Sequence, residues 1–402
     1  MDKIIPYGCQ NITDEDIESV CDVLRSDYLT QGPFILEFEK KFAEYIGVDY
    51  AVAVSNGTAA LHLSILALDI KKGDKVITTP ITFAASANCV KYCGGEIVFS
   101  DIDPDTYLLD LNKLEELLAN NIPGTFKGVI AVDFAGRAID LEKLKIITEK
   151  YGLWILEDAC HSPGGFFVDS KGVQQNCGNG KFAELSIFSF HPVKHIATGE
   201  GGMITTNSYE LYQKLLILRT HGITRDPNLF KNSITEALGN LDTNLNISNY
   251  PNWYMEMQTL GYNYRLTDIQ AALGLSQLKR AEEGIQKRRL IAKKYVKAFE
   301  GAKFIKGHSG DIQGHAYHLF VIEVKDKRLE LYNFLKNRSI ITQVHYFPCH
   351  LMPYYKKENQ GERICLPFSE SYYSCCLSLP MFPTLKEEEQ EYVINSIEKF
   401  YA

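Results

Sequence analysis

Between residues 50 and 218, short runs of apolar and β-branched residues alternate with stretches of helical period. The strand-like runs cover 50–54, 75–79, 96–101, 127–133, 153–157, 185–190 and 203–206. The helix-like stretches cover 58–68, 83–92, 111–119, 141–151 and 209–218. Strands interleaved with helices predict an α/β fold with a mostly parallel sheet covered on both faces. Continuously apolar strands such as Leu153-Trp154-Ile155-Leu156 fit burial on both sides.

The flanks follow other patterns. Residues 13–25 have apolar side chains at helical spacing, with Thr13 as a plausible N-cap, and 34–46 return to that period after a turn at 29–33. Residues 220–260 are rich in Asn and aromatics with little period, too long for a plain linker and so a functional excursion. A helix at 266–285 continues through 288–299. Strands near 317–324 and 341–346 and a closing helix at 385–400 complete a smaller α+β unit. The expected division is a large domain over 1–260, with an N-terminal segment and the excursion, and a smaller domain over 261–402, in keeping with 402 residues.

Bulk properties narrow the function. A net charge of −8 and the lack of any Lys/Arg run that forms a basic stripe argue against nucleic acid as a partner. The start of the chain lacks a charged-then-apolar signal pattern, and no apolar run approaches membrane-spanning length, so no membrane association is expected. Ten cysteines include no CxxC pair and no spacing for structural zinc, which reads as reduced thiols in a cytoplasmic protein with no metal site.

Three strand ends carry chemistry. In 186–202 an apolar strand runs into Phe190-His191-Pro192-Val193-Lys194 and returns through Gly199-Glu200-Gly201-Gly202. Lys194 is thus presented on a turn at a sheet edge, where ligands bind and where a partly desolvated lysine forms a Schiff base; a plain surface lysine is the alternative. Ser55-Asn56-Gly57-Thr58 joins a strand to a helix N-terminus, which suits an anion such as phosphate or, more simply, an N-cap. Glu157-Asp158-Ala159-Cys160-His161 ends an apolar strand. Asp158 there would need a cationic partner such as a protonated pyridine nitrogen, or would cap a helix. Phe83, after Thr78-Thr79-Pro80-Ile81-Thr82, suits stacking on a flat heteroaromatic ring, or core packing; His161 suits a ring substituent, or a structural hydrogen bond. Anion site, ring-nitrogen partner and aldehyde acceptor on one sheet are what pyridoxal 5'-phosphate requires.

The order of these motifs, followed by Gly261-Tyr262-Asn263-Tyr264-Arg265-Leu266-Thr267-Asp268, resembles the DegT/DnrJ/EryC1/StrS nucleotide-sugar aminotransferases over nearly the whole chain. The resemblance implies the fold-type I pyridoxal-phosphate aminotransferase architecture, a homodimer with shared active sites, and transfer of an amino group from L-glutamate to a keto-sugar nucleotide. It implies that Lys194 holds the cofactor aldehyde, Asp158 pairs with the ring nitrogen, His161 lies near the ring hydroxyl and Phe83 covers the ring. It further implies that Gly57, Thr58 and Ser189 hold the phosphate, with Asn263 reaching it from the partner subunit. Within the family, Leu29-Thr30-Gln31-Gly32, residues 221–227 and Gln343-Val344-His345-Tyr346 most resemble members of the pseudaminic acid pathway, which aminate C4 of a UDP-linked 4-keto-6-deoxy-N-acetylhexosamine. By the same resemblance Tyr7, Thr30, Gln31, His345 and Tyr346 are candidates for the sugar and UDP, and Arg225 and Arg265 for carboxylate or diphosphate. Open alternatives are another nucleotide-linked keto sugar, or a non-catalytic cofactor-binding regulator on the same scaffold. A related dehydratase would carry histidine where this chain has Lys194.

Overall fold

The computed structural model describes residues 4–239, 249–306, 313–358 and 363–402. Part of the Asn-rich stretch of the excursion, 240–248, lies outside the described residues. The expected alternation is present. Helices α1 (Asp14–Leu24) and α2 (Pro33–Ile46) lead into β1 (Tyr50–Val54), α3 (Gly57–Ala67), β2 (Lys75–Thr78), α4 (Ala85–Tyr92), β3 (Glu96–Phe99) and α5 (Leu111–Ala119). Next come β4 (Phe126–Val132), α6 (Leu141–Tyr151), β5 (Trp154–Asp158), β6 (Leu185–Ser189), β7 (Gly202–Thr206) and α7 (Tyr209–Arg219).

The seven strands form one sheet in the order β1-β7-β6-β5-β4-β2-β3. Strands β3, β2, β4, β5 and β6 run parallel, and β7 is antiparallel to both β6 and β1. The parallel strands are buried on both faces, by Ile77, Val129, Ile155 and neighbours on one side and by Val76, Ile130, Leu156 and neighbours on the other. That two-sided cover explains their unbroken apolar runs. The carboxyl ends of β5 and β6 lie side by side, so whatever follows them shares one rim.

Three boundaries differ from expectation. Helix α4 starts at Ala85, which leaves Phe83 on the connection before it. The long C-terminal helix is two helices, α8 (Asp268–Leu278) and α9 (Ala281–Ala298). At the break, Arg280 turns its guanidinium to the buried carboxylate of Asp16 (2.9 and 3.1 Å) and to the Asn11 carbonyl (3.1 Å), tying the N-terminal helix to this corner. The strand expected near 341–346 is absent: Gln343 makes one isolated bridge to Ser378, and the backbone then leaves the sheet toward the site.

The smaller sheet pairs Ile305–Lys306 with β8 (Phe320–Val324) and β8 with β9 (Cys376–Leu379), all antiparallel. Helices α10 (Arg328–Lys336) and α11 (Glu387–Tyr401) cover it, and Ile5 from the start of the chain is buried in the same core, bridged to Ile340. The excursion begins and ends in a two-stranded ribbon, Ile223–Thr224 against Glu256–Met257.

Strand alternation separates two consecutive acids. Asp158 faces the rim, whereas Glu157 faces the opposite side of β5, fully buried. There Glu157 accepts hydrogen bonds from Ser186 Oγ (2.6 Å) and the Gly178 amide (2.9 Å) beside a second buried acid, Asp133, which takes Ser162 Oγ at 2.6 Å. Burial raises the pKa of both, Glu157 the further, so Glu157 retains a proton.

Two predictions follow from this packing. A Cβ on Gly128 would lie 2.1–2.3 Å from the indole of Trp154, its cross-strand neighbour. Gly128→Ala is expected to lower stability by about 1–3 kcal/mol in denaturant titration. Glu157, with its folded pKa raised, contributes stability that is complete below about pH 4.5 and is lost as pH rises, by at most about 1.4 kcal/mol per pH unit. Glu157→Gln, which keeps a neutral donor toward Asp133, should flatten that decline between about pH 5 and 9 in melts run at each pH; an unaltered slope would show that Glu157 is ionised in the native protein.

Candidate active site

The rim of the sheet is built from four connections. The first follows β1. Asn56 caps α3 by accepting the Ala59 amide at 2.8 Å, which leaves the amides of Gly57 and Thr58 at the open helix end. Gly57 is buried against Ser189 from the end of β6: a Cβ there would stand 3.0 Å from Ser189 Cβ and 3.3 Å from its Oγ. Gly202, the first residue of β7, presses on Asn56 so closely that a Cβ would meet its carbonyl at 2.7 Å. The glycines bring two strand ends and a helix N-terminus together into a cup for an anion.

The second connection follows β5. Asp158 is 5% exposed, and no helix follows for it to cap. Its carboxylate takes Ser86 Oγ at 2.6 Å and the Cys160 amide at 3.2 Å, and Ser86 Oγ is in turn 2.8 Å from Thr82 Oγ1. Ser86 is not among the residues the sequence marks, and Thr82 is marked only as part of the run before Phe83; their i, i+4 spacing across the start of α4 is the available signal. Phe83, between them in sequence, is not core: it is 62% exposed, with its ring 6.3 Å from that of Tyr346.

The third connection carries the lysine. The turn closes by Lys194 N–H to His191 O (2.8 Å), and the loop is held by Thr198 N–H to Phe190 O and Phe190 N–H to Gly201 O. Lys194 is half-buried, and Nζ lies 3.4 Å from His318 Nε2. Burial pulls its pKa below the ordinary lysine value; the Arg288 guanidinium acts in the same direction, while Cys160 and Asp158 oppose it.

The fourth wall brings His161, just beyond β5, and Tyr7 together with His345 and Tyr346 from the C-terminal part of the chain. His161, buried, accepts the Ala135 amide on Nδ1 (3.2 Å), and its Nε2 lies 3.3 Å from Tyr346 Oη. His345 binds Ser378 Oγ through Nδ1 (2.9 Å), and its ring centroid is 5.4 Å from that of Tyr7. Burial lowers the pKa of both imidazoles, His345 to about 3. Sequence inspection passed over His318 and Arg288, since nothing in their local spacing distinguishes them.

The remaining candidates lie further out. Thr30 bridges to Thr267, and exposed Gln31 follows in a turn that Asp268 clips by accepting the amides of Gly32 (2.7 Å) and Phe34 (3.0 Å). Arg265 pairs its backbone with Val54. Asn263 is exposed and bridged to Thr220; Arg225 is exposed on the excursion ribbon, beside Met255. Neither has a described hydrogen bond to Lys194, Asp158 or Ser189 of its own chain. Asp133, Glu157 and Cys177 bring donor atoms within 4.8 Å of one another, but on the far side of β5 from Lys194 and with Ser162, Ser186 and Gly178 already bonded to the two acids.

A desolvated amine, a buried carboxylate, a glycine-lined helix N-terminus and an exposed aromatic ring fit pyridoxal phosphate. The comparisons agree. Residues 10–398 match the model of the DegT/DnrJ/EryC1/StrS aminotransferase family. The chain is 35% identical over 400 residues to a UDP-4-amino-4,6-dideoxy-N-acetyl-β-L-altrosamine transaminase of Campylobacter jejuni, covering 98% of this chain and 96% of that one. Helicobacter pylori PseC, an aminotransferase of pseudaminic acid biosynthesis, superposes with a TM-score of 0.85 at 30% identity, covering 99% of each chain. Spr1654 of Streptococcus pneumoniae, solved in its PMP form, gives 0.84 at 28% identity and 98% of each. The architecture is that of fold-type I aminotransferases, and the chain belongs to the DegT/DnrJ/EryC1/StrS family of pyridoxal-phosphate-dependent sugar aminotransferases.

Proposed function

We propose that the chain transfers the amino group of L-glutamate to C4 of a UDP-linked 4-keto-6-deoxy-N-acetylhexosamine, giving UDP-4-amino-4,6-dideoxy-N-acetyl-β-L-altrosamine for pseudaminic acid synthesis. The observation that carries the chemistry is the convergence of the Lys194 amine and the Asp158 carboxylate on one rim of the sheet. The likeness to the Campylobacter transaminase and to PseC supports the choice of sugar.

Each residue has a task set by its surroundings. The amides of Gly57 and Thr58, with Ser189 Oγ, bind the cofactor phosphate. Phe83 covers one face of the ring and keeps water from it. Asp158, held in place by Ser86 and the Cys160 amide, keeps a proton on the ring nitrogen. When bound, pyridoxal phosphate supplies an electron-withdrawing ring and the carbon that carries nitrogen from donor to acceptor. Lys194 would hold the cofactor aldehyde and, as the neutral amine, would serve as the base that carries the proton; its lowered pKa leaves more free base for this work. His161 and Tyr346 form a coupled pair toward the ring hydroxyl.

Tyr7, His345 and Tyr346 provide a polar wall for the sugar, and Thr30 and Gln31 extend it on the turn pinned by Asp268. Arg265 and Arg225 offer guanidinium forks for diphosphate or the glutamate carboxylate. The outward positions of Asn263 and Arg225 support a homodimer in which each completes its partner's site. Apart from the partner's Asn263, the cofactor groups lie within residues 1–260, and His345 and Tyr346 of the sugar wall within 261–402. All ten cysteines are free, which supports the cytoplasm as the compartment, and no helix among the described residues is long and apolar enough to cross a membrane.

Purified protein given UDP-linked 4-keto hexosamines and L-glutamate is expected to yield the 4-amino sugar, identified by mass spectrometry and NMR; turnover only with another nucleotide sugar would move the assignment to that sugar. Lys194→Ala should lose about 10²–10⁴-fold or more of the rate, together with borohydride-fixed cofactor on the peptide that contains residue 194. Asp158→Asn should keep cofactor binding while lowering kcat by about 10²-fold or more. Near-normal turnover in either variant would remove that residue from the chemistry.

A further inference from the structure

His318 touches the reacting amine, yet nothing in the sequence or the proposed chemistry employs it. Its ring is 4% exposed and packs 4.3 Å from the ring of His161 at 36°. One nitrogen, Nε2, lies 3.4 Å from Lys194 Nζ; the other, Nδ1, is buried with no hydrogen-bond partner.

The tautomer follows from these contacts. A proton on Nδ1 would be a buried donor with no acceptor, whereas a bare Nδ1 lone pair is the milder defect. The neighbouring rings show the same preference. His195 has an equally unpartnered Nδ1, and its Nε2 faces the Ala316 carbonyl at 2.9 Å, so the proton is on Nε2. His161 accepts the Ala135 amide on Nδ1, which again leaves the proton on Nε2. With Nε2 protonated in His318, that N–H needs a lone pair, and the group in front of it is the amine of Lys194. An ammonium has three donors and no lone pair; only the neutral amine can accept.

We propose that His318 is the positioning residue that docks the released Lys194 amine as the free base, donating a hydrogen bond from Nε2 to Nζ. Arg288 holds the backbone that carries His318. Its guanidinium is 1% exposed and donates through Nη1 to the carbonyls of Tyr317 (3.0 Å), His318 (3.3 Å) and Met381 (3.0 Å). Burial lowers its pKa to about 10, so at neutral pH it is a positive charge that disfavours a second cation at Nζ. The groups facing the amine are Asp158 and Cys160 from the end of β5, His161 beyond them, His195 on its own loop, Arg288 on α9 and His345 from the C-terminal wall. Burial holds His161, His195 and His345 below their ordinary range, so they stay neutral, and Asp158 is committed to Ser86 and the Cys160 amide. His318 is likewise pushed well below the histidine range by burial, which fits a neutral donor.

This inference rests on the aminotransferase reading and is tested apart from it. The full chain is loaded with pyridoxamine phosphate, the form in which Lys194 is unattached. Lys194 is then trace-labelled with acetic anhydride across about pH 6 to 11, bracketing ordinary amine titration, and followed by peptide mass spectrometry. His318→Phe removes the donor and is expected to cut the free-amine fraction about tenfold at any pH below the midpoint, the equivalent of one lost hydrogen bond. His318→Gln, whose amide still donates, is expected to stay within about threefold of wild type. An unchanged profile, or a shift toward more free amine in His318→Phe, would overturn the proposal. If the phenylalanine variant does not fold, ¹⁵N NMR of histidine-labelled native protein decides: a proton on Nε2 of His318 is expected, and one on Nδ1 overturns it. Failure of borohydride to fix pyridoxal phosphate on Lys194 would instead sink the catalytic assignment itself, whatever the labelling profile.

Discussion

A lysine amine serves as a base only while it is unprotonated, and in water at neutral pH it is not. In this structure Lys194 is half-buried, burial lowers its pKa, and most of the groups around it are neutral imidazoles. His161, His195, His318 and His345 are neutral because burial disfavours their cations. Arg288, its own pKa lowered to about 10 by burial, donates to carbonyls rather than to a carboxylate, so its charge is felt at Nζ. Asp158 opposes this effect at Nζ, and its carboxylate is held on the rim by Ser86 Oγ and the Cys160 amide.

The sheet makes this arrangement rigid. Strands β5 and β6 are parallel neighbours, so Asp158 and the loop carrying Lys194 leave the sheet on the same side. Strand β1 reaches the same rim through β7, which lies between β6 and β1, and Gly202 and Gly57 let those elements approach closely enough to form the anion cup. The period of two along β5 places Glu157 on the opposite face, beside Asp133. Neighbouring acids in sequence thereby have unlike environments: one lines the candidate site, and the other keeps a proton in the core.

Much of this was legible from residue patterns. The alternation of apolar strands and amphipathic helices determined an α/β sheet, because each strand needs cover on both faces. Strand ends bearing Gly57, Asp158 and Lys194 marked the rim, and the order of motifs marked the family. Element ends were less legible. Helices α8 and α9 read as one because both carry apolar residues at helical spacing; the break depends on Asp16, some 260 residues earlier. Residues 341–346 read as a strand because they are β-branched and aromatic, yet their backbone departs from the sheet to bring His345 and Tyr346 to the site.

What tertiary structure alone decided is which polar groups face the amine. Ser86, Arg288 and His318 are unremarkable in sequence, and each acquires its part from a partner far along the chain: Asp158, the carbonyls of Tyr317 and Met381, and Lys194. Local pattern encodes burial and period, since these depend on each residue's own side chain and its near neighbours. Hydrogen-bond direction, charge balance and desolvation at Nζ depend on distances between segments that meet only when the sheet has formed.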